Sequence, residues 1–157
     1  MTEDLVELAE NAKEELKRAD HSLFVSLKYT RTVDIIKGTI KRLINAFDIS
    51  ILELLQYLKS KKKIKVIPEI SNLRAELVAS EGPKLKKFIE FYFLLKKIDR
   101  AEYTKKEEYR KNVALISLIE PGNTVEVNID TLHKYYIKTA EFLDLVQSTV
   151  TEKDKEK

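Results

Sequence analysis

The run TVDIIKGTIKRLINAFDISILELLQYL, from Thr32 to Leu58, decides the fold of this chain. It has no proline and a single glycine, Gly38. Val33, Ile36, Ile40, Leu43, Phe47, Ile51, Leu54 and Leu58 recur at steps of three and four, the period of an apolar helix face. Ile35, Ile44, Leu52 and Leu55 widen that face beyond one stripe. A helix with so broad an apolar arc needs neighbours on more than one side. At about 1.5 Å per residue it is roughly 40 Å long, enough to be the spine of a small domain.

Working outward, residues 3–28 carry a second helical period in Leu5, Leu8, Ala12, Leu16, Ala19, Leu23 and Leu27. Thr2 is placed to cap that helix, with Glu3 and Asp4 where the macrodipole favours acids. Tyr29-Thr30-Arg31-Thr32 is the expected turn, with Thr32 capping the spine and Asp34 behind it. So short a connection makes the first two helices an antiparallel hairpin. Downstream, the spine (32–59) frays into Lys59-Ser60-Lys61-Lys62-Lys63, where cations suit a helix C-terminus. A short helix is expected near 69–79. A fourth, near 83–103, opens on Pro83, a residue suited to a first turn. The apolar run Val113 to Ile119, the turn Pro121-Gly122-Asn123-Thr124 and the alternating Val125-Glu126-Val127-Asn128-Ile129 read as a β-hairpin near 113–129. Asp130 or Thr131 is the expected cap of a last helix near 131–149, and 151–157 reads as a disordered charged tail. The fold class is therefore mainly α: about five helices in one domain, 1–150, with one small β-hairpin.

Composition narrows the function classes. Among 157 residues, 29 basic and 26 acidic side chains leave a net charge of +3, too balanced to announce a nucleic-acid or membrane-surface protein. The chain has no cysteine, which excludes disulfides, thiolate catalysis and thiolate-ligated metals. The N-terminal stretch mixes charge with apolar groups and does not read as a signal peptide, and no apolar run could span a bilayer. A cytoplasmic protein is expected, without a membrane partner. Abundant Lys, Glu and Ile, with no Trp and one Met, resembles a thermophile's composition.

Candidate chemistry is sparse. Arg18, Asp20, His21, Lys28, Tyr29, Arg31 and Asp34 form the densest polar cluster. On an unbroken helix Arg18, His21 and Lys28 share a face, so His21 could act as general base beside phosphate-binding cations. The competing reading is a solvated stripe, with Arg31 and Asp34 paired at the start of the spine; it is the favoured one, since charged residues make up 35% of the chain. With only His21 and His133, and no Glu-x-x-His pair, no metal site is expected, and three isolated glycines exclude a Gly-rich phosphate loop, so no cofactor is expected either. Lys59, Lys61, Lys62, Lys63 and Lys65 could contact an anion or a nucleic-acid backbone, and could join Lys84, Lys86, Lys87, Lys96 and Lys97 if the fourth helix lies alongside. Tyr92, Tyr109, Tyr135 and Tyr136 could stack bases, although aromatic residues at helical spacing are usually core.

The segment Ala19-Asp20-His21-Ser22-Leu23-Phe24-Val25 leading into the spine, the later Tyr109-Arg110-Lys111-Asn112, and the closing Tyr136-x-x-x-Ala140-x-Phe142 resemble archaeal helical-bundle proteins of unknown function. More remotely, the first two helices resemble those of HEPN domains. That resemblance implies a bundle that often dimerises and works in an RNA-related or toxin–antitoxin setting, in some members as a ribonuclease. The catalytic signature of those ribonucleases is an Arg followed four to six residues later by His. Here Arg18 precedes His21 by three, and no Arg stands at that distance before His133. The expectation is a non-enzymatic binding or assembly module. Its breadth of apolar arc suggests a homodimer through the first two helices; the alternatives are a HEPN-like ribonuclease or a nucleic-acid-binding protein.

Overall fold

The structure, a computed structural model, describes residues 3–155. The expected Thr2 cap lies outside them. Helix α1 (Glu3–His21) continues through a π turn (Ser22–Ser26) into a last helical turn, Leu27–Tyr29. Helix α2 (Val33–Ser60) is the spine, followed by α3 (Ser71–Ala79) and α4 (Pro83–Arg100). Strands β1 (Glu102–Lys106), β2 (Ala114–Glu120) and β3 (Asn123–Asn128) form one antiparallel sheet in that order, and α5 (Ile129–Lys155) closes the chain. The expected mainly helical bundle with a small β element is what the chain forms.

The spine starts where sequence placed it. Thr32 Oγ1 accepts the Ile35 N–H at 3.3 Å, and the Glu108 carboxylate, far along the chain, accepts the Val33 N–H at 3.0 Å. Two of the amides that a helix start leaves unpaired are thus satisfied. Helix α1 packs antiparallel on α2, with the Arg42 guanidinium 3.2 Å from the Glu15 carboxylate. Helix α4 also runs antiparallel to α2: the Lys37 ammonium donates to the Asp99 carbonyl at 2.6 Å near one end, and Phe47 meets Phe91 near the middle. Phe47 is the hub. Its ring lies 4.6 Å from Phe142 of α5, stacked, and 5.5 Å from Tyr92 of α4. The broad arc of α2 is covered within the one chain by α1, α3, α4, α5 and β2.

Several boundaries differ from the sequence reading. Helix α4 stops at Arg100 rather than near 103, because Ala101 is extended (ψ 157) and residues 102–106 pair with the hairpin. Only Tyr103 of that strand is even half-buried, so its sequence, EYTKK, shows almost no alternation. Its lysines suit an open sheet edge. The last helix begins at Ile129 with Asn128 as its cap, through an Asn128 side-chain oxygen that accepts the Thr131 N–H at 2.8 Å. It also extends to Lys155, beyond the expected end near 149 and into the stretch expected to be disordered; residues 156–157 lie outside the described residues.

Glu53 is the exception in the core. It faces inward on α2 at 2% exposure, and its Oε2 has no hydrogen-bond partner, as is also true of Ser50 Oγ and Tyr57 OH one turn either side. Burial pushes its carboxyl from the ordinary 4.5 up to about 7, with Lys13 of α1 pulling weakly the other way. A folded-state value above the unfolded one means the native state holds the proton more tightly. Stability should therefore be full below about 4.5 and fall as pH rises toward about 7, by on the order of 3 kcal/mol. Asp48 has the same sign, so the check is comparative: urea midpoints across this range should fall less steeply in Glu53→Gln than in the parent.

Candidate functional site

Three clusters compete for the role of a site. The first holds Arg18 and His21, which line a groove of about 410 Å³ with Glu14, Lys17, Ser22 and Arg42. Arg18 is already engaged there, 3.7 Å from Glu14 and 3.4 Å from Glu15. Lys28 does not line the groove. The π turn between His21 and Lys28 adds a residue to the helical repeat, which turns Lys28 by roughly 100° from the shared face of an unbroken helix. Arg31 and Asp34, expected to pair, part company: Asp34 sits 3.7 Å from Lys105, and Arg31 lines a different pocket. Asp20 is bonded to the Tyr136 phenol, whose pKa burial and that carboxylate raise. The general-base constellation is not assembled.

The second cluster is one that sequence reading missed. Tyr92 OH donates to Asp48 Oδ1 between α4 and α2, and Lys96 donates to Ser71 Oγ at 3.1 Å and Asn72 Oδ1 at 2.5 Å on α3. Burial raises the Asp48 carboxyl despite the Tyr92 bond and the Lys96 and Arg74 charges. Burial, then Asp48, push the Tyr92 phenol above its ordinary value, so it stays a hydrogen-bond donor. Burial and Arg100 lower the Lys96 ammonium. The Tyr92 ring is fully buried. This network clamps three helices together, and its polar groups are spent on one another. Its one sequence signal is Asp48 itself, a lone acid inside Ala46-Phe47-Asp48-Ile49-Ser50-Ile51.

The third cluster is the lysine end of the spine. The last turn of α2 closes through Lys61 N–H to the Tyr57 carbonyl at 3.1 Å, Lys62 N–H to Lys59 at 3.0 Å and Lys63 N–H to Leu58 at 2.9 Å. Lys62 holds φ 60, a left-handed conformation that this type of helix ending normally gives to glycine. Lys59, Lys62, Lys63 and Lys65 are exposed, and among the described residues none of them has an ion-pair partner. Lys61 lies over the Tyr57 ring at 5.6 Å. Some cations elsewhere are engaged, Lys37 with Asp99, Arg42 with Glu15, Lys97 with Glu120, Lys105 with Asp34 and Lys106 with Glu126, while others such as Arg31 and Lys111 are not, among the described residues.

The antiparallel course of α4 brings its start, with exposed Lys84, Lys86 and Lys87, toward the same end of the bundle. Lys96 and Lys97, expected to extend the patch, do not join it; they lie further along α4, held by Ser71, Asn72 and Glu120. Acidic groups bound the surface. Asp4 lines a groove of about 440 Å³ beside Lys59, and Glu141 and Asp144 share a second groove with Lys84. The tyrosines expected as stacking platforms are mostly core: Tyr135 meets Phe91 at 5.3 Å and Tyr136 meets Phe24 at 6.2 Å, while Tyr109 is exposed. His133 meets the Phe24 ring edge at 5.1 Å.

Comparison of the chain with protein-family models, curated proteins and solved structures finds no match. No helix among the described residues is long and apolar enough to cross a membrane.

The strained ending gives a direct test. A left-handed non-glycine residue costs about 1 kcal/mol. Lys62→Gly should therefore raise unfolding stability by about 1 kcal/mol in chemical denaturation. A lower midpoint would show that the lysine side chain, not the backbone, governs this turn.

Proposed function

We propose that this chain is a non-enzymatic nucleic-acid-binding module that holds an RNA phosphate backbone at the lysine end of its spine, in the cytoplasm. The observation that carries this reading is the concentration of unpaired cations: within the seven residues from Lys59 to Lys65, Lys59, Lys62, Lys63 and Lys65 are exposed and have no ion-pair partner among the described residues, in a chain of net charge only +3. Unpaired ammonium groups on a helix end suit phosphates, whose counterions they release on contact. Among the described residues, the aromatic groups at this surface are withdrawn, Tyr57 buried and Phe88 only partly exposed in the groove with Lys84, so it fits backbone contact rather than base reading. The engagement of Arg18 with two glutamates, and the turning away of Lys28, weigh against a ribonuclease. The likeness of α1 and α2 to HEPN helices favours the same RNA-related setting.

Purified protein titrated with labelled mixed-sequence RNA should bind at low salt and weaken steeply at moderate salt. Replacing Lys59, Lys62, Lys63 and Lys65 together by Gln should lower the magnitude of the salt slope by up to about three, at roughly 0.7 per phosphate contact on a single strand. His21→Ala should leave binding unchanged. Equal binding by the parent and the fourfold variant would end this reading.

Assembly of two copies is a second reading, favoured by the exposed apolar side chains Phe24 and Val25 on the π turn beside Tyr136 and Ile137 of α5. Light scattering should then give twice the chain mass at micromolar concentration, and Phe24→Asp should return a monomer. A single-chain mass for the parent removes it.

A further inference from the structure

At the end of the bundle opposite the lysines, two distant segments are tied into one surface. The Tyr109 N–H donates to the Arg31 carbonyl at 2.7 Å, joining the loop after β1 to the turn before α2. Glu108 reinforces the join by capping Val33, and Lys105 bridges Glu108 and Asp34 at 3.5 and 3.7 Å. Glu107 and Tyr109 hold φ values of 50 and 66, which sets the direction in which this loop projects. Beside the join lies a pocket of about 240 Å³ lined by Arg31, Lys111, Asn112, Asn128, Ile129 and Asp130. Among the described residues, the Arg31, Lys111, Asn112 and Asp130 side chains have no hydrogen-bond or ion-pair partner. Asn128 spends only its oxygen, on the Thr131 N–H, leaving its amide protons free. On the two joined segments, Tyr29 and Tyr109 stand 79% and 75% exposed, the most exposed large apolar rings of the described residues.

We propose that this pocket binds a nucleotide. Each part of the ligand finds a matching group. Arg31 and Lys111 supply two cations for a phosphate, the arginine as a planar fork suited to two of its oxygens. The amides of Asn112 and Asn128 offer donors to a base edge. Asp130 is an acceptor for ribose hydroxyls, as acidic side chains are in other nucleotide sites. Tyr29 and Tyr109 do not line the pocket, but each stands two residues before one of its cations, Arg31 and Lys111, and their solvent-facing rings provide π surfaces at its margin on which a base can stack. Leaving such large rings exposed on an anchored loop has no folding benefit, since neither buries against the core. Among the described residues the opposite lysine end has no exposed ring, so the two ends differ in kind: a backbone contact at one and a pocket for a single nucleotide at the other. The spine that separates them is roughly 40 Å long, from 28 residues at about 1.5 Å each.

Calorimetric titration of the full chain with 5′-AMP, adenosine and inorganic phosphate tests this. AMP should bind more tightly than either fragment. Arg31→Ala with Lys111→Ala should weaken AMP by at least roughly tenfold, and Tyr109→Gly, which keeps the left-handed backbone allowed, should weaken it by about tenfold. The fourfold lysine variant of the other end should bind AMP as the parent does, which separates this site from the proposed RNA contact. Circular dichroism of each variant confirms that it is folded. Absence of AMP binding at millimolar concentration overturns the proposal. So does AMP affinity that survives the pocket substitutions, or phosphate binding as tight as AMP binding, which would leave a simple anion site.

Discussion

The structure depends on a single aromatic side chain at the middle of the spine. Phe47 is fully buried, and its ring touches Phe142 from the last helix and Phe91 and Tyr92 from the fourth. Phe88 also meets Phe142 at 5.5 Å, with the two rings tilted, which extends the cluster. Aromatic side chains bury large areas, and truncating one in a core of this kind typically costs about 3–5 kcal/mol. Because Phe47 sits where α2, α4 and α5 all approach, it sets the spacing of three helices at once. The Asp48–Tyr92 hydrogen bond beside it then fixes the rotation of α4 on the spine, since a buried phenol needs its partner.

From that centre, the two ends of the bundle acquire opposite characters. Antiparallel packing of α4 on α2 puts the C-terminus of one helix beside the N-terminus of the other, and both happen to be lysine-rich. At the other end, the turn before α2 is closed by a loop of the sheet, through the Glu108 cap and the bond from Tyr109 to Arg31. The sheet is therefore more than decoration on the bundle. Ser117 Oγ of β2 donates to the Ile98 carbonyl at 3.2 Å, docking the sheet on α4, and its loop completes the start of the spine.

Local conformations that resist regular geometry gather at these ends. Lys62, Glu107 and Tyr109 are the non-glycine residues with positive φ among the described residues, the first at the lysine end and the others beside the Arg31 pocket. The π turn at Ser22–Ser26 likewise interrupts α1 just where it approaches α5, presenting Phe24 to His133 and Tyr136. In the core the departure is of another kind: Ser50, Glu53 and Tyr57 form a buried polar stripe on the face of a helix that is otherwise apolar. Each is a place where local preference yields to a neighbour distant in sequence.

The sequence by itself determined the helical class, the spine with its Thr32 cap, the Pro83 start and the β2–β3 hairpin. These follow from short-range causes: a period of three and four, a hydroxyl before a helix, a proline at a first turn, a turn between alternating runs. It also exposed the lysines of the spine end, since five lysines in seven residues show in any reading. Tertiary structure alone decided the rest. Strand β1 exists because β2 offers it an edge, not because EYTKK alternates. The Arg18, His21 and Lys28 set came apart because a π turn, which no glycine or proline announces in Ser22–Ser26, changed the phase between them. The Arg31 pocket joins residues from near 31, 111 and 129, and no spacing within one element could have announced it. Periodicity is written residue by residue; a pocket between segments is written only by the packing that closes them together.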